Sequence, residues 1–403
     1  MQPALIGHAT HPDAGMALAL AAAQIEAGRQ QRREAFVPTL GLLYLTDHYA
    51  AQAEPLLADA QQRWPGVHWV GTAGVGVMAT GVEYFDEPAL ALMLLDLPTQ
   101  QFSLFSGRDK LDSGLAHSAL VHADPNTPDL AELLTELAGR TRSGYLFGGL
   151  AASRGANVHI ADAVFQGGLS GVALAPEVAM LSRVTQGCQP LGAGHRITAA
   201  QHNLVLELDG QPALPLLLAQ LGVSLEQPEA AVAALRRTLV GLTDEDDAAL
   251  SQHGQFGLDT RVRHIVGVDP ARQGVAVAEH VAPGQQLAFC HRDAEAARRD
   301  LVRICAEIRD ELEADLPLSA LSGLPAAEPA APGEPARRIA AAVYVSCSGR
   351  GGPHFGSPSA EARILQHALG EVPLVGFFAG GEIAHHHLYG YTGVLTVFVA
   401  DPG

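Results

Sequence analysis

A strand–helix–strand–glycine pattern that occurs three times constrains the fold of this sequence more than any other feature. The first copy predicts a buried strand at residues 39–45, a helix at 50–63 and a second strand at 67–70 that runs into Gly71. The other copies predict strands at 118–122, 145–147, 339–345 and 373–375, helices at 128–137 and 359–369, and glycines at Gly148 and Gly376. A further apolar strand follows each copy, at 89–95, 170–174 and 393–399. The pattern indicates an internal repeat of a βαββ-like unit.

Glycines follow the second strand of each copy, where a backbone turns sharply or admits a close neighbour. Such exits from neighbouring strands would line one edge of a sheet, which is where open α/β sheets bind ligands. The sequence therefore predicts an α/β fold of mixed sheets with helices packed outside, in two pseudo-repeated halves.

The rest of the chain departs from this pattern. Residues 13–34 predict an opening helix with Asp13 as its N-cap. Between the second and third copies, the sequence predicts helices at 213–221, 228–240 and 293–313 and a meander of strands at 262–268, 274–280 and 286–291. Residues 321–338 are rich in Ser, Gly, Pro, Ala and Glu and are typical of a flexible connection.

Charge and lysine content exclude several classes of function. The 403 residues have a formal net charge of −18, so phosphate backbones and anionic lipids would repel the chain. We therefore expect neither nucleic-acid nor membrane binding. Lys110 is the only lysine and lies in a charged sequence, which argues against Schiff-base chemistry and rules out a P-loop.

The cysteines and the N-terminal sequence indicate a cytoplasmic location. The four cysteines, at positions 188, 290, 305 and 347, are scattered singly, which suits a reducing compartment. The apolar run at residues 14–23 has no Lys or Arg before it, so it does not predict a secretory leader.

The densest group of reactive side chains follows the predicted strand at 339–345. The loop Ser346–Gly352 combines the Cys347 thiol, two hydroxyls, the Arg350 guanidinium and flexible backbone N–H groups. It could bind a carboxylate through backbone amides and Arg350. Arg350 could instead lower the pKa of Cys347 and make it a catalytic nucleophile. A glycine-rich turn with a buried cysteine is the third interpretation.

Three consecutive histidines suggest a metal site as an alternative. Glu382, His385 and His387 supply suitable ligands, although adjacent residues of a strand point to opposite faces. A solvated loop is the simpler interpretation, and we expect neither a metal nor another cofactor.

The C-terminal run Val372–Ile383, of sequence VPLVGFFAGGEI, resembles the C-terminal half of the FIST domain. The glycine turns at 70–74 and 147–151 and the segment at 196–214 resemble the rest of that family, so the likeness covers residues 30 to 400. It implies a FIST N-terminal domain at 30–210 and a FIST C-terminal domain at 211–400. The family typically continues Glu-Ile with Gly-Pro, where this chain has Ala384-His385.

The resemblance implies a cytoplasmic sensory or signal-transduction protein that binds a small ligand, such as an amino acid or another small carboxylate. Its output would pass to a separate signalling protein. A thiol- or metal-dependent hydrolase and an acidic scaffold without a ligand are the competing functions. The expected ligand-binding residues come from three loops: Cys347, Ser348, Arg350 and Gly351; Gly376, Phe378, Gly381 and Glu382; and Gly148, Gly149 and Arg154. Arg350 would bind a ligand carboxylate and Glu382 its ammonium. Neither the ligand nor the oligomeric state follows from the sequence.

Overall fold

Each predicted copy of the repeat forms a parallel βαβ unit in the computed structural model, which describes residues 1–244, 260–313 and 337–400. The helices, in chain order, are α1 (Ala14–Gln30), α2 (Ala53–Arg63), α3 (Leu130–Gly139), α4 (Ala213–Leu221), α5 (Pro228–Arg237), α6 (Ala294–Glu313) and α7 (Ala360–Leu369). Strands of the first half are β1 (Leu5–Thr10), β2 (Leu40–Thr46), β3 (His68–Gly74), β4 (Gly76–Ala79), β5 (Val82–Phe85), β6 (Ala89–Leu95), β7 (Phe102–Phe105), β8 (Ser118–Ala123), β9 (Tyr145–Leu150), β10 (His159–Ala161), β11 (Val164–Phe165), β12 (Leu169–Leu174) and β13 (Met180–Gln186). The later strands are β14 (Cys188–Pro190), β15 (His195–Gln201), β16 (Leu204–Leu208), β17 (Gln211–Pro212), β18 (Thr238–Thr243), β19 (Arg261–Asp269), β20 (Gly274–Val277), β21 (Gln286–Arg292), β22 (Arg338–Cys347), β23 (Leu374–Ala379), β24 (Glu382–His385), β25 (His387–Tyr389) and β26 (Thr392–Ala400).

The chain divides into two compact units. Unit 1 comprises Met1–Thr185, Arg298–Leu388 and Thr392–Gly403, and unit 2 comprises Gln186–Ala297 and Tyr389–Tyr391. The division of the sequence near residue 210 into two FIST domains stays a prediction.

Unit 1 contains three six-stranded mixed sheets, one for each copy of the repeat. Their strand orders are β1-β6-β2-β3-β10-β11, β25-β24-β9-β8-β12-β7 and β13-β26-β22-β23-β4-β5. In each, two parallel strands lie at the centre and the apolar strand that follows the repeat pairs antiparallel with the first of them. Helices α1 and α2 pack on the first sheet, α3 on the second, and α6 and α7 on the third.

The three sheets exchange strands in a closed cycle. The chain leaves β3 to add β4 beside β23, leaves β23 to add β24 beside β9, and leaves β9 to add β10 beside β3. One ring from each sheet lies where they meet. The centroid of Tyr44 is 5.5 Å from that of His122 and 5.0 Å from that of Phe377.

Equivalent glycines allow the paired strands of each repeat to lie close together. A Cβ atom at Gly71, Gly148 or Gly376 would overlap the carbonyl oxygen of Leu43, Val121 or Tyr344, respectively, on the neighbouring strand. These glycines are therefore required by backbone packing, in addition to marking the exits of the strands.

Unit 2 is a closed antiparallel barrel with its own core. Its strands pair in the cycle β21-β15-β16-β20-β19-β18-β21. Side chains such as Val240, Val275 and Phe289 fill the interior, and α4 adds Leu214 and Leu217.

Most predicted elements are confirmed, but several predicted ends are too long. The opening helix predicted at 13–34 ends at Gln30, and the strand predicted at 274–280 ends at Val277. Asp13 caps α1 by accepting a 2.8 Å hydrogen bond from the Met16 amide. The helix predicted at 228–240 ends at Arg237, because Thr238–Thr243 pairs with both β19 and β21 as β18. Residues 321–336 of the predicted connection lie outside the described residues. None of the helices in the described ranges is long and apolar enough to span a membrane.

Candidate functional site

The loop after β22 carries an arginine into the interior of unit 1. Cys347 ends the strand, Ser348–Arg350 and Gly352–Phe355 form short 3-10 turns, and α7 begins at Ala360. The Arg350 side chain is only 1% exposed and lies 5.3 Å from the centroid of the Phe355 ring. A charge at this depth needs a counter-charge and hydrogen bonds.

Glu361, in the first turn of α7, supplies the counter-charge. Its Oε1 accepts hydrogen bonds from Arg350 Nε at 2.9 Å, from Arg350 Nη2 at 2.7 Å and from the Tyr344 hydroxyl at 2.7 Å. Its Oε2 accepts from the Ser346 hydroxyl at 2.9 Å. Burial opposes the charge of Arg350, but the adjacent Glu361 carboxylate outweighs it and raises the pKa of the guanidinium. The pair is therefore a fully buried ion pair.

Glu382, on β24, is a second fully buried carboxyl group. Its Oε2 accepts hydrogen bonds from the Thr392 hydroxyl at 2.7 Å and from the Thr392 amide at 3.1 Å. Burial raises its pKa to about 8, although Thr392, the Arg350 charge and a hydrogen bond from Cys347 oppose the shift. Glu382 is thus mostly protonated at neutral pH.

Glu83, on β5, is a third carboxyl group, at the N-terminus of α7. It accepts a 2.8 Å hydrogen bond from the Ala362 amide, and the Glu83 amide donates to the Ser359 hydroxyl at 3.0 Å. Burial, supported by the Glu361 charge, raises its pKa to about 7. Glu361, which accepts two hydrogen bonds from the guanidinium, therefore remains the direct partner of Arg350.

Two atoms of this cluster have no hydrogen-bond partner among the described residues. They are Arg350 Nη1 and Glu382 Oε1. Both belong to side chains that are at least 99% buried. An unsatisfied buried polar atom is costly, so each of the two atoms is a candidate to bind a further polar group.

The structure brings most of the predicted ligand-binding residues near this cluster. Gly149 pairs with Glu382 across β9 and β24, and Gly381 directly precedes that carboxyl. The Phe85 ring covers Gly351 and lies 5.1 Å, centroid to centroid, from the ring of Phe378. The remaining predicted residues in this region are the half-buried Ser348 and the strand-packing glycines Gly148 and Gly376.

Arg154 lies in a different setting. Its guanidinium is exposed, donates two hydrogen bonds to Asp47 at 2.7 and 2.8 Å, and donates a third to Asp86 at 2.5 Å. It belongs to a surface ion-pair group at the end of β2.

The histidine-rich turn is separate from the buried cluster. Glu382 is buried and bonded to Thr392, whereas His385 and His386 are exposed. No group of three His, Cys, Asp or Glu side chains within the described residues is placed to hold a metal ion.

Sequence reasoning missed Tyr344, Glu361, Thr392 and Glu83. An acidic residue in the first turn of a helix is ordinarily explained by the helix dipole, which conceals the role of Glu361. The available signal was the presence of Arg350 directly after an apolar strand, since a buried arginine requires a carboxylate nearby.

Comparison with known proteins identifies two matching family models. The FIST N domain matches residues 39–211, and the FIST C domain matches residues 221–385. A similar protein is the uncharacterized protein Rv0628c of Mycobacterium tuberculosis (strain ATCC 25618 / H37Rv), which is 29% identical over 414 residues, covering 98% of this chain and 99% of the relative. The uncharacterized protein Mb0898c of Mycobacterium bovis (strain ATCC BAA-935 / AF2122/97) is 28% identical over 428 residues, covering 98% of each chain.

Proposed function

Because this chain belongs to the FIST family, whose domains are associated with signal transduction and sensing, we propose that it is a cytoplasmic sensor of a small zwitterion or carboxylate. The ligand class is an amino acid or a similar small molecule. The observation that carries the proposal is the pair of unpartnered buried atoms, Arg350 Nη1 and Glu382 Oε1.

The two atoms suit the two ends of an amino acid. Arg350 Nη1 would donate to the ligand carboxylate, and Glu382 would accept from the ligand ammonium. Glu361 already occupies Arg350 Nε and Nη2, so the ligand would meet one guanidinium nitrogen rather than both arms of the fork. A bound ammonium would also favour the charged form of Glu382, so binding would release a proton.

Both side chains are almost wholly buried, so a ligand reaches them only if the loop Ser348–Phe355 moves. Ligand binding would then favour a loop conformation that differs from the unliganded one. This coupling of occupancy to conformation is what a sensor requires.

A thermal-shift screen against the twenty amino acids and small carboxylates tests the proposal. Ligand at a hundred times its dissociation constant should stabilise the protein by about 2.7 kcal/mol. Arg350→Lys should abolish the response, because a point charge cannot replace the directed guanidinium. Arg154→Lys is the matched control and should leave the response intact. A response that survives Arg350→Lys, or no stereoselective response from the wild type, would contradict the proposal.

Proton release provides an independent check. Calorimetry of a confirmed ligand at pH 7, in two buffers of different ionisation enthalpy, should show release of up to about one proton. Glu382→Gln should remove that release. Binding without proton exchange would exclude Glu382 as the ammonium acceptor.

A thiol-dependent hydrolase is the second candidate, because the Cys347 thiol donates a hydrogen bond to the Glu382 carboxyl group. In that role the ionised form of Glu382, a minor fraction at neutral pH that increases as the pH rises through 8, would be the base that deprotonates the nucleophile. The hydrolase predicts that iodoacetamide alkylates Cys347 rapidly at neutral pH, whereas the buried Cys305 serves as the unreactive control. Equal, slow alkylation of both would rule it out.

A further inference from the structure

Helices α6 and α7 leave an open groove between them on the surface of unit 1. Its volume is about 520 Å³. One face of α6 and one face of α7 line it, with Arg298, Val302, Ala306 and Arg309 from α6 and Ala360, Arg363, Ile364, His367 and Ala368 from α7.

Among the described residues, every ionisable side chain that lines this groove is basic. Arg298, Arg309, Arg363 and His367 line it without a carboxylate, on a chain whose net charge is −18. Arg363 and His367 form no ion pair with any residue in the described ranges. Arg309 has an exposed contact with Glu313 at 3.9 Å and donates a 3.4 Å hydrogen bond across the groove to the Ala368 carbonyl, so its charge is only weakly paired. The groove is therefore a local site of positive charge on an acidic protein.

The floor of the groove is apolar and shallow. Val302 is 50% exposed, Ile364 is half-buried, and the three alanines leave room for close approach. Arg298 and Arg309 are eleven residues apart on α6, which corresponds to about 17 Å along the axis, or three helical turns. A basic rim around an apolar floor of this length is complementary to an amphipathic helix with acidic flanks.

We propose that this groove docks an acidic amphipathic helix of a partner signalling protein. The inference rests on the proposed signalling function, because it assigns the output surface of that function. Leucine or a similar side chain would cover Val302 and Ile364, while glutamates would pair with Arg309 and Arg363.

A direct contact path joins the groove to the buried cluster. Arg298 donates a hydrogen bond to the carbonyl of Phe355, and its guanidinium lies 5.8 Å from the centroid of the Phe355 ring. Arg350 lies 5.3 Å from the same ring. Movement of the loop Ser348–Phe355 would therefore alter the position of Arg298 at the edge of the groove.

Fluorescence anisotropy with a labelled synthetic peptide tests the docking site. The peptide has about 14 residues, with leucine at positions i, i+3, i+4 and i+7 and glutamate elsewhere, and a scrambled peptide is the reference. The wild type should bind the patterned peptide more tightly than the scrambled one. Arg363→Glu and Arg309→Glu should each weaken binding at least about tenfold, equivalent to 1.4 kcal/mol.

Arg299→Glu is the matched control, since Arg299 is exposed on α6 and does not line the groove. It makes the same charge change and should alter affinity less than about twofold. Equal loss from Arg299→Glu and Arg363→Glu would overturn the proposal, because only net charge would then matter. Absence of binding to the wild type would also overturn it.

Two other occupants have distinct outcomes. Self-association of the wild type that Arg363→Glu abolishes would assign the groove to a second copy and overturn the proposal. Saturable binding of citrate that the patterned peptide does not displace would assign the groove to a small anion. That result would also overturn the proposal. If an amino acid raises the melting temperature but the patterned peptide does not bind, only the docking site is overturned. If the peptide binds but no amino acid raises the melting temperature, only the proposed ligand is overturned.

Discussion

Arg350 and Glu361 illustrate how strongly two buried residues depend on each other. Each is 1% exposed, and together they satisfy most of their hydrogen-bonding groups. The favourable energy of such a pair approximately offsets the cost of removing both charges from water. Removal of one partner leaves the other charge buried without compensation.

Glu361→Gln should therefore lower the free energy of unfolding by about 3–5 kcal/mol, measured by urea denaturation. Asp59→Asn is the control, because it breaks the exposed ion pair between Asp59 and Arg63 and should cost less than about 1 kcal/mol. Similar costs for the two variants would show that burial of the Arg350 pair has no energetic consequence.

Glu382 should make stability depend on pH. Its pKa is about 8 in the folded protein and 4.5 as the reference value, so the folded state binds the extra proton between these limits. Its contribution to stability is fully present below pH 4.5 and is lost as pH rises through 8. The stability of the wild type relative to Glu382→Gln should therefore fall between pH 5 and 8, by up to about 1.4 kcal/mol per pH unit. A difference that is constant with pH would place the folded pKa near its ordinary value.

At the scale of elements, the close approach of paired strands depends on glycine. Gly376→Ala should cost more than about 3 kcal/mol, because the new methyl group would overlap the Tyr344 carbonyl and separate β22 from β23. Gly139→Ala is the control, since it adds a methyl group where nothing lies within 4 Å, at the end of α3. It should be neutral or stabilise by up to about 1 kcal/mol. Thermal denaturation that ranks the two variants equally would contradict this role of Gly376.

The sequence predicted the positions of the helices and strands better than it predicted which strands pair with each other. The run at 339–345 became β22 because it is continuously apolar, and the run at 118–122 became β8 although its end residues, Ser118 and His122, are polar. The helix predicted at 293–313 has Leu301, Ile304 and Ile308 at helical spacing, and these residues form the buried face of α6. By contrast, strand exchange depends on pairings such as Glu382 with Gly149, which are distant in sequence and have no local signal.

The buried cluster was predictable only in part, because local sequence patterns do not show which distant segments meet. The sequence predicted a binding loop here because Cys347 and Arg350 follow a predicted buried strand. The nearby run VPLVGFFAGGEI also resembles the FIST family. The positions of Glu361 and Glu83 could not be predicted, since both follow from where α7 begins relative to β5. Local patterns specify where a helix starts but not which neighbouring strand it meets.

At the scale of the whole molecule, each unit has its own apolar core. Phe289 is buried in the barrel of unit 2, and Leu92 is buried beneath α1 and α2 in unit 1. Phe289→Ala should cost about 3–5 kcal/mol and accelerate hydrogen exchange first in β18 and β21. Leu92→Ala should accelerate exchange first in β2 and β6. Identical exchange patterns in the two variants would show that the cores unfold as one.

The cyclic exchange of strands has a consequence for synthesis on the ribosome. The sheet that contains β2 and β3 acquires β10 only after residue 159 has emerged, and the sheet that contains β9 waits for β24 at residue 382. Until then, β3 and β9 present open edges to other nascent chains. Native contacts with such large sequence separation form slowly, so the protein should complete its fold only after β24 and β26 have emerged and should depend on chaperones that shield strand edges.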